Sequence, residues 1–290
     1  MPADILLQAL VLGLLQGGIY ALVAAGLTLI YGVMKVVNFA HAEFLTLGMY
    51  LALAAWGLGV SPYLAVVPIL GLVFVLGAGV QRMLIRPALR HPQINQMLIT
   101  IGLSTMLIGG MQLTWGPNNQ VLRLPWARAA LTVGDLRVTY TRLIAFAAAV
   151  AIAAGFWLFL KRARGGLAIR AATQNPAAAR LMGVNVEAVN LLTFGLGAGI
   201  AGGAGAFIAP VFFINPTFGI DYFLLPAFVI VVLGTMGNFL GAMIGGLAIG
   251  TAESLGGLYL GASLRQLVSL AIFVLILLVL PRGIFRGRVT

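Results

Sequence analysis

The side chain most able to do chemistry is a carboxylic acid inside an apolar stretch. The chain of 290 residues contains only six Asp and Glu, and one of them, Glu253, interrupts the apolar run 239–259. A carboxylate within a bilayer is unfavourable, so such a group should be protonated, paired, or in contact with a polar cavity. Glu253 is therefore predicted to be either a hydrogen-bonding partner for a neighbouring helix or part of a solute path. The sequence leaves both interpretations open.

A second polar group lies in the stretch NFAHAEF, residues 38–44, at the start of another apolar run. His41 and Glu43 could bind a metal ion or transfer a proton, but their i, i+2 spacing places them on different faces of a helix. A metal site needs further ligands, and the other histidine, His91, lies in a predicted loop. No metal site is predicted. Asn38, His41 and Glu43 are candidates for a solute path or for structural polar contacts.

Two enzymatic activities can be compared with the sequence. A phosphate-binding loop needs Gly-Lys, and neither Lys35 nor Lys161 follows a glycine, so ATP binding through this motif is excluded. A serine hydrolase would need a histidine facing the Gly-Leu-Ser of residues 102–104, and neither histidine is predicted at mid-helix. Ser104 is expected to bond to its own helix backbone. No catalytic residue and no cofactor are predicted.

Composition places these residues in a bilayer. The chain is 61% apolar and 8% charged, with a mean hydropathy of +1.09, whereas soluble domains carry about 25% charged residues. It contains no cysteine, which excludes disulfides and thiolate metal sites. The net charge of +11 comes from basic residues between apolar runs, a distribution typical of membrane proteins rather than of nucleic-acid binding. The predicted fold class is all-α, a polytopic membrane helix bundle.

The apolar runs predict eight or nine transmembrane segments. The number is open because the run 222–236 is shorter than the ~20 residues that a helix needs to cross a bilayer, so it either spans as a short helix or turns back. The runs are 5–30, 39–58, 63–83, 94–115, 143–160, 190–213, 222–236, 239–259 and 266–280.

The longest polar interval between these runs is 161–189. It carries five basic residues and one acid: Lys161, Arg162, Arg164, Arg170, Arg180 and Glu187. Asn175 before Pro176 favours a helix start, and Gly183 favours a stop, so a short helix is predicted over 177–182. This basic segment is either a docking element or an ordinary loop.

Charge counting gives the orientation. With nine crossings and the N-terminus outside, twelve of the 17 Lys and Arg lie on the side of the basic segment and five on the other. The positive-inside rule then places the basic segment and the C-terminus in the cytoplasm.

Two glycine series have the spacing of close helix contacts. Such small-xxx-small patterns let membrane helices approach each other closely, either within the subunit or along a mobile or intersubunit face. The series are Gly195, Gly199 and Gly203, and Gly237, Gly241 and Gly245.

Four stretches resemble the membrane permeases of bacterial ABC importers for branched-chain amino acids. They are 18–44 (GIYALVAAGLTLIYGVMKVVNFAHAEF), 99–104 (ITIGLS), 170–186 (RAATQNPAAARLMGVNV) and 231–246 (VVLGTMGNFLGAMIGG). One departure is Ala42, where the family usually has glycine between the histidine and the glutamate.

The resemblance implies a single permease domain over 1–290 in the bacterial inner membrane. It implies two cytoplasmic ATPase subunits, a second permease subunit that forms a heterodimer, and a periplasmic binding protein that delivers Leu, Ile or Val. The segment 161–189 would be the loop that couples the permease to the ATPases. Its residues would be Asn175, Pro176, Ala177, Ala178, Arg180 and Gly183.

Three alternatives remain at this point. Permeases for urea or short-chain amides look similar, so the substrate class is open within the family. A stand-alone secondary carrier would need several ionisable groups at mid-membrane, and the sequence places only Glu253 clearly inside a span. A purely structural membrane subunit would leave uptake intact when Glu253 or the basic segment is altered.

Overall fold

The computed structural model describes residues 3–279 of the chain. Leu280 at the end of the last apolar run, the basic residues Arg282, Arg286 and Arg288, and the predicted cytoplasmic C-terminus lie outside the described residues. The elements of the described part are α1 Ala3–Met34, α2 His41–Gly57, α3 Val66–Val80, α4 Arg86–Ala88, α5 Gln93–Trp115, β1 Ala130–Val133, β2 Leu136–Thr139, α6 Tyr140–Arg162, α7 Arg164–Gln174, α8 Pro176–Leu181, α9 Val186–Ile208, α10 Leu225–Leu233, α11 Phe239–Leu260 and α12 Arg265–Val279.

Two π-helical turns extend this framework. Gln81–Ile85 joins α3 to α4 in one apolar rod, and Ile220–Leu224 leads directly into α10. By length and composition, six helices of the described part can cross a membrane: α1, the α3–α4 rod, α5, α6, α9 and α11. The apolar helices Ile220–Leu233 and Arg265–Val279 are shorter. The chain is therefore a multi-pass membrane helix bundle, and the number of eight or nine segments stays a prediction.

The all-α prediction needs one addition. Between α5 and α6, strands β1 and β2 pair antiparallel with Ala130 opposite Thr139 and Val133 opposite Leu136. Gly134, with φ of +61°, occupies the turn between them. The hairpin is anchored to the first helix, because the amide of Gln8 donates to the Arg137 carbonyl at 2.7 Å and accepts from the Arg137 N–H at 2.9 Å.

The bundle is centred on α1 and α9. In these two helices 72% and 78% of the spanning window is buried within the chain, against 22–39% for the other four long helices. Glycines on α1 allow α11 to approach closely, since a Cβ added to Gly17 would lie 2.8 Å from the Gly246 carbonyl oxygen. Close backbone approach of this kind supplies packing where lipid gives no hydrophobic drive between helices.

The first predicted glycine series lies on one helix face. Gly195 and Gly199 of α9 face α3, where an added Cβ would meet Phe74 Cε2 at 2.9 Å and the Leu70 carbonyl oxygen at 3.0 Å. Gly203 continues the same face more loosely, 3.5 Å from Leu70 Cδ1. This face fixes the distance between the central helix α9 and the peripheral rod.

The second series is not a single helical ladder, which corrects the prediction. Gly237 precedes α11 and has φ of +94°, because the Asn238 side chain caps the helix by accepting from the Gly241 N–H at 3.1 Å. Gly241 and Gly245 face the end of α10, whereas Gly246 and Gly250 face α1. A glycine spacing of four residues does not by itself show at which residue a helix begins.

Contacts between helix ends define two opposite ends of the bundle. At one end lie α7 and α8, the end of α1 and the start of α11, where Gly32 and Gly237 come within van der Waals contact. At the other end lie the start of α1 and the end of α11, where Ser254 donates to the Ala9 carbonyl at 2.7 Å. The first is called the basic end below, and the second the hairpin end.

Candidate functional site

Between α1 and α2 the chain re-enters the bundle without regular structure. Helix α1 ends at Met34, Lys35 turns the chain with φ of +58°, and residues 36–40 are largely buried and non-helical. Helix α2 then starts beside Val23, which is about 16 Å from the end of α1 along its axis. Irregular backbone is tolerated at membrane depth only where protein or a water-filled cavity surrounds it. Residues 36–40, which we call the re-entrant segment, are therefore part of the core of the bundle.

Asn38 and Thr100 supply the hydrogen bonds that the irregular backbone needs. The Asn38 side chain accepts from the Ala40 N–H at 3.1 Å. Thr100 on α5 donates its hydroxyl to the Val37 carbonyl at 3.1 Å and accepts from the Phe39 N–H at 3.3 Å. The segment is thus held between its own asparagine and a neighbouring membrane helix.

His41, the first residue of α2, is fully buried against α1. Its Nε2 lies 3.0 Å from the Val23 carbonyl oxygen. Gly26 leaves the space for the ring, since an added Cβ there would lie 3.1 Å from His41 Cε1. Among the described residues the Nδ1 atom has no hydrogen-bond partner. One ring nitrogen therefore positions the helix start, and the other is free to meet water or a polar solute.

Glu43 lies two residues further, in the first turn of α2. It is 0% exposed, and its Oε1 accepts from the Ser104 hydroxyl at 3.0 Å. The expectation that Ser104 bonds to its own helix was wrong, because the carboxyl group on α2 is the better acceptor within reach. Glu43 Oε2 and Asn38 Nδ2 have no partner in the described part of the chain. Ala42 between His41 and Glu43 follows regular helical geometry, since it lies within α2 and has no positive φ.

Glu253 is the centre of a second buried network, which ties three helices together. Tyr20 on α1 donates its hydroxyl to Glu253 Oε2 at 2.8 Å. Ser269 on α12 donates to Oε1, and Arg265 Nε lies 3.5 Å from Oε2. The carboxyl group is 1% exposed. Both oxygens thus have partners, as the structural interpretation of this residue required.

The same carboxyl group also borders a cavity of about 550 Å³ at the hairpin end. We call it the vestibule. Its size lies in the range of small-molecule sites. Charged, amide and aromatic side chains surround it: Gln16, Tyr20, Phe212, Phe218, Asp221, Tyr222, Phe223, Glu253, Ser263, Arg265 and Gln266.

The vestibule combines two signs of charge with an aromatic wall. Asp221 is exposed, and its Oδ2 accepts from the Thr217 hydroxyl at 2.7 Å. Phe218 packs at 5.1 Å from Tyr222 and 5.7 Å from Phe223, ring centre to ring centre. Arg265 supplies the opposite charge. Such a site can hold a molecule that carries an ammonium group, a carboxylate and an apolar side chain.

No sequence pattern indicated this charge cluster. Asp221 and Arg265 immediately precede two different apolar runs, and Tyr20 is one aromatic residue among many. The only available signal was Glu253, whose burial required partners that the sequence could not name.

At the basic end, α8 is a short, well-capped helix. The Asn175 side chain accepts from the N–H groups of Ala177 and Ala178, both at 3.0 Å, and Pro176 opens the helix. Gly183 has φ of +82° and ends it, with its N–H donating to the Arg180 carbonyl at 3.0 Å. The predicted cap and stop are present, and the helix begins one residue earlier than predicted.

The outer surface of α8 is exposed and partly apolar. Leu181 and Met182 are 88% and 84% exposed, and Arg180 beside them is exposed too. Only Ala179 of this helix is buried. Behind it, Arg86 and Glu187 form an ion pair at 2.5 Å between α4 and the start of α9. Helix α8 thus packs through Ala179 and leaves its other faces exposed.

No metal site emerges from these groups. In the part of the chain that the structure describes, no three His, Cys, Asp or Glu side chains come together closely enough to hold a metal ion. The two polar networks and the exposed helix are the features that a function has to explain.

Comparison with known families shows which family the chain belongs to. Residues 9–277 match the model of the family described as branched-chain amino acid transport system / permease component. The chain belongs to this family. No solved structure matches it significantly.

Individual relatives support the same assignment over nearly the whole chain. The high-affinity branched-chain amino acid transport system permease proteins LivH of Escherichia coli K12 and BraD of Pseudomonas aeruginosa are each 31% identical to it, over 97% of this chain and 96% of theirs. The probable branched-chain amino acid transport permease protein LivH of Methanocaldococcus jannaschii is 28% identical, over 93% of this chain and 90% of the relative. The family resemblance seen in the four sequence stretches is confirmed.

Proposed function

We propose that the chain is the membrane subunit of an ATP-driven importer and passes leucine, isoleucine or valine into the cytoplasm. The observation that carries this proposal is the match to branched-chain amino acid permeases along 97% of the chain. The energy comes from two separate ATPase subunits, since the chain has no phosphate-binding loop. A second permease subunit and a periplasmic binding protein complete the transporter.

The proposed topology has nine crossings, with the basic end in the cytoplasm of a bacterial inner membrane. Its support is that successive helices alternate between the two ends. Gln8 and Arg137 meet at the hairpin end, whereas Arg86 and Glu187 meet at the basic end. Counting α2, Ile220–Leu233 and Arg265–Val279 as short crossings gives nine. The segment 222–236, most of which lies in the short helix Ile220–Leu233, then crosses the membrane.

The proposed route begins at the vestibule. There the amino-acid ammonium group meets Asp221, the carboxylate meets Arg265, and the branched side chain packs on the aromatic wall around Phe218. A zwitterion uses both charges, whereas urea and short-chain amides use neither. This chemistry favours a branched-chain amino acid over those alternatives and makes the periplasmic mouth the place of first contact.

Helix α8 is the proposed contact with the ATPase. Its exposed Leu181 and Met182 fit a hydrophobic cleft, and Arg180 adds a charge at the rim. The cap at Asn175 and the stop at Gly183 keep the helix rigid, so closure of the ATPases moves the attached membrane helices as a body. The whole of 1–290 acts as one permease domain in this proposal.

Reconstitution tests the proposal. The chain is expressed with its partner subunits in liposomes, and ATP hydrolysis is measured with binding protein loaded with leucine or with urea. Stimulation by leucine alone supports the proposal. Stimulation by urea alone contradicts a branched-chain amino acid as the substrate. If the ATPase subunits do not copurify with the chain, the importer architecture is contradicted and a stand-alone carrier is favoured.

Arg180→Glu provides the test of coupling. We expect stimulated ATP hydrolysis and leucine uptake to fall at least about tenfold together, because a charge reversal at the rim of a docking helix opposes assembly. Arg90→Glu, an exposed basic residue at the same end but outside α7 and α8, is the matched control and should retain both activities. Equal activity of the two variants would contradict the role of α8.

A further inference from the structure

A cavity at the basic end is separate from the vestibule and from α8. It lies between α1, α6, α7 and the turn before α11, and its volume is about 310 Å³. Its lining combines basic, hydroxyl and apolar side chains: Ala25, Thr28, Leu29, Trp157, Leu160, Lys161, Ile169, Arg170, Thr173, Gly237, Asn238, Phe239 and Leu240. Neither the transport route nor the proposed ATPase contact uses it.

The two charged side chains that line this cavity are both basic. Lys161 and Arg170 line it, and no Asp or Glu does. Lys161 Nζ lies 4.8 Å from the centre of the Trp157 ring, which keeps the ammonium group at the rim. Arg170 is partly buried, and its Nε has no hydrogen-bond partner in the described part of the chain. Two cationic side chains in a cavity that no carboxylate lines favour the binding of an anion there.

Two further features of the same space favour an anion. Thr28 is 1% exposed, and its hydroxyl has no partner among the described residues. The 22-residue helix α11 starts at the wall of the cavity, with Asn238 and Phe239 among the lining residues. The dipole of this helix favours an anion near its start, where the Asn238 side chain caps the Gly241 N–H. A phosphate group can accept from a hydroxyl such as that of Thr28 and from cationic side chains such as Lys161 and Arg170.

The position of the cavity indicates where the anion comes from. Thr28 lies six residues before the end of α1, about 9 Å along the axis, which is the depth of the interface. Trp157 and Leu240 at the rim are 41% and 48% exposed, and tryptophan is enriched at the headgroup level. The cavity thus opens beside apolar, lipid-facing side chains rather than toward the aqueous outer face of α8.

We propose that this cavity binds the phosphate group of an anionic phospholipid from the cytoplasmic leaflet. Lys161 and Arg170 contact the phosphate oxygens, Thr28 donates to one of them, and the acyl chains lie along Leu240 and Trp157. Basic pockets between membrane helices on the cytoplasmic side suit such headgroups. The bound lipid joins α7 to α1 and α11, and so fixes the base from which α8 projects.

Native mass spectrometry of the full chain, released from nanodiscs of phosphatidylglycerol or of phosphatidylcholine, tests the proposal. We expect one phosphatidylglycerol to remain bound and phosphatidylcholine to be lost. The double variant Lys161→Gln/Arg170→Gln should retain phosphatidylglycerol at least about tenfold less, since two charge-assisted hydrogen bonds are removed. Arg162→Gln, next to Lys161 but outside the cavity lining, is the matched control and should bind as the parent chain does.

A smaller change separates loss of binding from loss of folding. Thr28→Val keeps the shape of the side chain and removes only its hydroxyl, so we expect a two- to fivefold loss of the retained lipid with an unchanged thermal unfolding midpoint. Equal retention by the double variant and the control contradicts the proposal. Displacement of the lipid by millimolar glycerol 3-phosphate contradicts it as well, because the site would then serve a soluble phosphate compound. The choice of the cytoplasmic leaflet rests on the proposed topology, but the test does not measure transport, so its failure is distinguishable from failure of the proposed function.

Discussion

Among the described residues, two buried carboxyl groups lie in the membrane region, and they differ in whether both of their oxygens have partners. Glu253 has partners for both oxygens on α1 and α12, from Tyr20, Ser269 and Arg265. Glu43 has one partner, Ser104, and its second oxygen has none among the described residues. A fully satisfied buried network rigidifies a fold, whereas a partly satisfied one leaves capacity for another group. Glu253 thus links α1, α11 and α12, whereas Glu43 keeps one carboxyl oxygen without a partner among the described residues.

The difference extends to the surroundings of the two groups. Glu253 lies between regular helices that pack through glycines, at the edge of the vestibule. Glu43 follows the re-entrant segment, where Asn38 and His41 also carry buried atoms without partners in the described part. Three such atoms within six residues at mid-membrane mark a place for water or for a passing polar group.

The largest expected effect is on stability at Glu253. Glu253→Ala should lower the free energy of unfolding by about 3 kcal/mol, because the buried hydroxyls of Tyr20 and Ser269 lose their acceptor at about 1–3 kcal/mol each. Thermal or denaturant unfolding in lipid micelles measures this. Glu253→Gln keeps an acceptor and should recover about half of the loss. An unchanged free energy of unfolding in Glu253→Ala would contradict the structural role of this network.

A smaller stability effect and a larger functional effect are expected at Glu43. Glu43→Ala removes one partner, that of Ser104, and should lower the free energy of unfolding by about 1 kcal/mol. Leucine uptake should nevertheless fall at least about tenfold while leucine-stimulated ATP hydrolysis persists. Ser104→Ala, which breaks the same hydrogen bond and leaves the carboxyl group in place, is the control and should transport at near parental rates. If the two variants transport equally, Glu43 is only a structural partner.

The smallest stability effect is expected in the vestibule. Asp221 is exposed, so Asp221→Asn should change the free energy of unfolding by no more than about 0.5 kcal/mol. Uptake of leucine should fall several-fold, because the ammonium group loses its counter-charge. Asp135→Asn, an exposed acid in the hairpin turn at the same end, should leave uptake unchanged. Equal uptake by both variants would place first contact with the substrate elsewhere.

Local features were predictable because their signals are local. The cap at Asn175 and the stop at Gly183 depend on residues within a few positions of α8, and both were found. Predicted boundaries also agree where a terminator is nearby, as at Trp115, the end of α5. Glycine spacing predicted the face of α9 that meets α3, since that series lies wholly within one helix.

Features that join distant parts of the chain were not predictable. Ser104 was assigned to its own helix because its partner, Glu43, lies 61 positions away in sequence. Tyr20 and Glu253 are 233 positions apart, and no local pattern pairs one aromatic residue with one acid. Gly237 was predicted to belong to a helical series, but it precedes α11. The Asn238 side chain caps this helix and so sets its start, which glycine spacing alone does not show.

The sequence by itself determined that this chain lies in a membrane, where its longest basic polar segment is, and which family it belongs to. Those properties follow from composition, from capping over a few residues and from contiguous motifs. Only the tertiary structure decided that Asp221, Glu253 and Arg265 share one cavity, and that Glu43 keeps an unpartnered oxygen in the core. The physical reason is that desolvation obliges buried polar groups to find partners, and the helix packing chooses which partners they meet.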